Sequence, residues 1–166
     1  SNKVVISYRD VGNSSYGTSV VGTVSGTTIT FGTPVVFETA SVNYLTATFD
    51  SSSNRVVISY SDAGNSSHGT SIAGTISGTS ISFGTPVVFE ATSTTYITAT
   101  FDSVNNKTVT AYQNSATYGS AVVSNIPNLL TIGTDYFVQS DGSLSTTSST
   151  APAGRALTTS SILLEG

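Results

Sequence analysis

Through residues 3–106, apolar and polar side chains alternate with period two in short runs, and every run returns 52 positions later. Residues 3–54 and 55–106 are identical at 36 of 52 positions. In the second copy, Val56, Ile58 and Tyr60 alternate with Val57, Ser59 and Ser61, and Ile72, Gly74 and Ile76 alternate with Ser71, Ala73 and Thr75. Ile81 and Phe83 follow, the pattern resumes after Pro86 as Val87-Val88-Phe89, and Tyr96, Ile97, Ala99 and Phe101 close the unit. Alternation of this kind, rich in β-branched and aromatic residues, predicts strands buried on one face, and no helical three-to-four spacing persists anywhere.

The intervening residues carry turn chemistry. Asp50–Asn54 and Asp102–Asn106 supply the Asp, Asn and Ser that bond their own backbone, predicting a hairpin into the next "VVISY" strand. Asp10–Ser15 and Asp62–Ser67 predict a longer loop in which Gly takes positive φ. Ser25–Thr27 and Ser77–Thr79 predict a tight turn, and the "FGTP" at 31–34 and 83–86 predicts a kink, bulge or edge.

A third, degraded copy opens at Lys107 and stops at Val123. The expected fold is therefore all-β, with tandem four-stranded antiparallel repeats over 1–123 (3–54, 55–106 and a partial 107–123). Each repeat reads as one blade-like, propeller-like unit. A propeller takes at least about four blades, so two and a half units imply further blades upstream, several chains closing one ring (three copies giving six blades), or an open solenoid. Residues 124–166 read as a small C-terminal β module, in which Asp141-Gly142 between short apolar runs signals a hairpin.

Composition narrows the function classes. Apolar residues make up 37% and charged residues 8%, with Ser and Thr supplying the polar surface, which fits a folded β protein rather than disorder. A net charge of −4 without a basic cluster argues against nucleic acid, and no run approaches the roughly 18 apolar residues of a membrane helix. Absence of Cys leaves the redox compartment open. Absence of Met, with Ser1-Asn2-Lys3 aligning inside a repeat, suggests a processed product or part of a longer protein.

Two longer patterns carry a resemblance. One is the repeat itself, "VVISY…D.GN…GT…GT.SGT…FGTPVVF"; the other is "LTIGTDYFVQSDGSLSTT" at 130–147 followed by "AGRALTTSSILLEG" at 153–166. Together they resemble repeat-bearing structural proteins of tailed bacteriophages, many of marine type. That resemblance implies a non-enzymatic, usually trimeric tail-fibre or spike component at the virion surface or outside the cell, contacting other virion proteins and binding host-surface glycans. The competing expectations are a purely structural subunit (a capsid decoration or extracellular filament protein) and a polysaccharide depolymerase. The resemblance carries over no catalytic, cofactor or metal residue.

The candidate site residues are aromatic. His68, the sole His, is matched by Tyr16 and Tyr118 in the other copies, and Tyr cannot replace a catalytic base. Packing over a loop is one reading; a repeated platform at the loop mouths, on which a sugar ring stacks, is the other. Asp10 and Asp62 offer one carboxylate per loop where calcium wants six to eight oxygens, so they read as turn caps. Glu38 and Glu90 recur in step with the repeat, as turn and edge residues do and catalytic pairs do not.

Overall fold

The computed structural model describes residues 2–115 and 119–124, together with strands 135–138, 144–145, 152–156 and 162–163. The chain divides into two compact units, Ser1–Ile126 and Pro127–Gly166. The described residues are all-β, with no α-helix.

Unit one is an open antiparallel sheet of ten strands. The first repeat gives β1 (Lys3–Asp10), β2 (Tyr16–Ser25), β3 (Thr28–Phe31) and β4 (Val35–Asp50). The second gives β5 (Arg55–Asp62), β6 (His68–Ser77), β7 (Ser80–Phe83) and β8 (Val87–Asp102), and the third gives β9 (Lys107–Asn114) and β10 (Ser120–Ser124). The path runs β1-β2-β4-β5-β6-β8-β9-β10, with β3 on β2 and β7 on β6, so β1 and β10 form its two ends.

One expected break is absent. The apolar runs on either side of Ala91–Thr95 belong to a single 16-residue strand, β8, as their counterparts do in β4. The first half of β4 pairs with β2, and from Val42 onward the same strand pairs with β5. β8 passes from β6 to β9 in the same way. Each long strand thus leaves one layer and enters the next, folding the sheet into three stacked layers. The first holds β1, β2, β3 and the start of β4. The second holds the end of β4, then β5, β6, β7 and the start of β8, and the third holds the end of β8, β9 and β10.

The core lies between the first two layers. Phe37 of β4 sits between Tyr60 and Phe83, with ring centroids 5.3 and 5.5 Å away, over Val56, Ile58 and Ile72. A Cβ at Gly17 would lie 2.4 Å from Phe37, so glycine there makes room for the ring. The step repeats one layer on, where Phe89 meets Tyr112 at 5.1 Å above Gly69. Carboxylates lock the same steps: Tyr60 donates to Glu38 at 3.2 Å and Tyr112 to Glu90 at 3.3 Å. Burial, then the Glu38 carboxylate, pushes the Tyr60 phenol far up, so it stays a donor.

The loops differ from expectation in one detail. Residues 11–13 and 63–65 form 3-10 turns, and the positive φ falls on Ser14, Ser15, Ser66 and Ser67 rather than on Gly12 or Gly64. Gly64 is needed for space instead, since a Cβ there would lie 2.5 Å from that of Ala40. The tight turns do use glycine at positive φ, Gly26 at 58° and Gly78 at 61°. In unit two, β11 (Asp135–Val138), β12 (Leu144–Ser145), β13 (Pro152–Ala156) and β14 (Ile162–Leu163) pair in the order β12-β11-β13-β14.

Candidate functional site

Where the long strands change layers, their ladders slip. In β4 the pairing runs Asn43 with Ser61 and then Thr46 with Ser59, so Tyr44 and Leu45 together face the single residue Tyr60. In β8, Thr95 pairs with Gln113 and Thr98 with Ala111, leaving Tyr96 and Ile97 opposite Tyr112. Two residues opposite one is a β-bulge, which bends a strand and re-aims a side chain. Here the second residue of each pair turns inward: Leu45 packs on the core and Ile97 is buried. The first turns outward.

The outward residue pays for its position in backbone strain. Tyr44 has φ of 48° and Tyr96 of 51°, the left-handed region that a glycine normally fills at a bulge. A Cβ there costs roughly 1–2 kcal/mol. A bulky residue held in that region is uncommon enough to need a reason, and strain of this kind collects at functional sites. The reason on view is what the side chains make together. The two rings stand 5.5 Å apart at 51°, with Tyr44 47% and Tyr96 71% exposed. The residue before each tyrosine is hydrogen-bonded: Asn43 accepts from Arg9 at 3.1 Å, and Thr95 donates to the Gln113 amide oxygen at 3.5 Å.

The structure places the sequence-derived candidates elsewhere. Tyr16 and His68 are half-buried at the starts of β2 and β6, beside the 3-10 turns. Each pairs across its ladder, Tyr16 with Asp10 and Ser41, His68 with Asp62 and Ser93. Neither joins a ring pair among the described residues, and Tyr118 lies outside them. Asp62 caps its turn by accepting from the Gly64 amide at 2.9 Å, whereas Asp10 makes no such side-chain bond. Among the described residues no three His, Asp or Glu side chains gather as metal ligands would.

The remaining carboxylates hold turns or strands. Asp50 takes the amides and hydroxyls of Ser52 and Ser53 at 2.7–3.1 Å. Burial works to raise its carboxyl, but those four bonds prevail and hold it below the usual range. The Asn105 side chain, then the backbone of Asn105 and Val104, lowers Asp102 similarly. Glu90 is lowered chiefly by the Asn114 amide, with further help from Thr92 and Tyr112.

The geometry is that of an exposed aromatic pair with the Gln113 amide beside Tyr96, suited to holding a ring by its apolar face. Set against known protein families, characterised proteins and solved structures, the chain matches none.

Proposed function

We propose that this chain is a non-enzymatic adhesion protein of the virion surface, a tail-fibre or spike component of the tailed-phage type, that holds host-surface glycan on Tyr44 and Tyr96. The observation that carries the reading is the pair of exposed tyrosines kept at left-handed φ in both repeats, 5.5 Å apart. Were these positions only strand corners, glycine would serve better. The repeat and terminal-module resemblance supplies the virion context. Each 52-residue repeat (3–54, 55–106 and the partial 107–123) is read as a propeller-like blade. The working unit is then a homotrimer, docked to other virion proteins, whose copies together complete the ring.

The test is a glycan array probed with the full chain, its Tyr44→Ala and Tyr96→Ala variants, and Tyr16→Ala and His68→Ala for comparison. Binding lost in the first two and kept in the others supports the site. Loss only in the second pair moves the site to the loop mouths. Specific binding to capsid or to itself, with no glycan bound, favours the purely structural alternative. A fall in the viscosity of host polysaccharide on incubation would make the protein a depolymerase and end the non-enzymatic reading.

A further inference from the structure

Each layer of unit one has two kinds of face. In the second layer the leading face, with Val56, Ile58 and Tyr60, receives the layer before it. The trailing face, with Val57, Ser59 and Ala73, receives the layer after it. All six residues are buried.

The leading face of the first layer carries the same chemistry, and among the described residues no layer covers it. Val4, Ile6, Tyr8, Ile29 and Phe31 stand where the second layer has Val56, Ile58, Tyr60, Ile81 and Phe83. A Cβ at Gly22 would meet Val4, Ile29 and Phe31, so these side chains converge on one patch. Exposure separates the copies: Ile6 is 40% exposed against 0% for Ile58, and Ile29 41% against 5% for Ile81.

At the other end, the third layer has exchanged the polarity of its faces. Its inward residues Thr108 and Thr110 replace Val56 and Ile58. Its outward residues are Val109 opposite Val123 and Ala111 opposite Ala121, where the buried counterpart has Val57 opposite Ala73 and Ser59 opposite Ser71. Hydroxyls have moved in and methyls out, leaving Val123 57% exposed. A terminal repeat that meets water does the reverse.

We infer that the trailing face of the third layer in one copy docks on the leading face of the first layer in a second copy of the chain, head to tail. The contact inside the chain sets the match. Ser59 of the second layer meets Thr110 of the third at 3.4 Å between hydroxyl oxygens. The same step taken once more sets Ala111 against Ile6 of the next copy, two apolar residues where the internal contact joins two hydroxyls. The two surfaces differ, so the contact is heterologous and propagates until the rotation closes a ring, or without end if it does not. This inference rests on the self-association in the reading above and is independent of the sugar site.

Sedimentation velocity on the full chain tests it, using Ile6→Lys to block the leading face and Val123→Lys to block the trailing one. Both residues are exposed enough for circular dichroism and melting to stay as in the wild type. The wild type is expected to assemble and each variant alone to remain monomeric. An equimolar mixture is expected to give dimers and nothing larger, since each variant keeps one good face. Should either lysine disturb folding, Ile6→Ser and Val123→Ser are the milder pair, expected to weaken assembly roughly tenfold or more. If Val123→Lys assembles normally while Ile6→Lys does not, self-association stands and the head-to-tail contact is overturned. A wild type that stays monomeric at high concentration overturns both.

Discussion

The strained tyrosines make a prediction that separates backbone from side chain. Replacing Tyr96 by Ala removes the ring contact with Tyr44, worth about 0.5–1.5 kcal/mol, and keeps a Cβ in the left-handed region. Since most of the Tyr96 side chain already faces water, little else is lost. Replacing it by Gly loses the same contact, but removes strain of roughly 1–2 kcal/mol and adds about 0.5–1 kcal/mol of chain entropy in the unfolded state. Tyr96→Ala should therefore fall about 1 kcal/mol below the wild type, with Tyr96→Gly close to it. Urea unfolding reads the difference. With slopes of about 1–3 kcal/mol per molar, a 1 kcal/mol gap moves the midpoint by roughly 0.3–1 M. The Tyr44 pair should follow the same order, Gly above Ala. An Ala variant as stable as its Gly counterpart would refute the argument, because a residue at negative φ gains nothing from losing its Cβ. Both variants should lose glycan binding alike, so stability and binding come apart at this residue.

Two further predictions concern the interior and the turns. Ser59 and Ser71 share a buried hydrogen bond of 2.7 Å, so Ser59→Ala alone should cost about 1–3 kcal/mol by stranding the Ser71 hydroxyl, and Ser71→Ala less, because Ser59 keeps Thr110 at 3.4 Å. The double variant should cost less than the sum, as the Ala111–Ala121 pair at the same register suggests, and a double-mutant cycle in urea would measure the coupling. Acid should destabilise the fold, because Asp50, Glu90 and Asp102 are all lowered. The unfolded chain takes up these protons first, so their stabilisation is present above the ordinary values of 3.8 and 4.5 and drains as pH falls through the folded ones. Melting temperature against pH should drop below about pH 4.5, and less steeply in Glu90→Gln; a flat profile would contradict the assignment.

Much of the fold is legible because local signals repeat. The alternating runs and the Asp-Ser turns each act over a few residues, and the 52-residue period shows each of them twice. The continuity of β8 was hidden because Ala91–Thr95 is polar and reads as a connection, although its threonines suit a strand that swaps partners between layers. Choice of partner is a tertiary effect that alternation does not encode. The site was hidden for a related reason: tyrosine has no signature for positive φ. One signal was available, since Tyr44-Leu45 and Tyr96-Ile97 each set two large apolar residues side by side in the otherwise alternating second half of a long strand. A one-residue slip of that kind marks a bulge that hands one side chain to each face. Tyr16 and His68 match as aromatics across repeats, yet that match serves positions which the ladder half-buries.

Glycan binding and assembly are coupled through multivalency. A single pair of rings presents little stacking surface, and for so small a ligand contact the ordering of sugar and surface consumes much of the gain. Adhesion built on such a pair depends on copies acting together, and linked sites raise apparent affinity by roughly 10²–10⁴ without any new contact. Head-to-tail assembly would supply those copies in fixed register, each with its own Tyr44–Tyr96 pair. The monomeric Ile6→Lys variant should then bind a free oligosaccharide as the wild type does, by calorimetry, while its retention on a dense glycan surface falls at least tenfold. Equal retention of the two proteins would show that one tyrosine pair suffices and that assembly serves something other than adhesion. Loss of free-sugar binding in the variant would instead place the leading face of the first layer inside the ligand site.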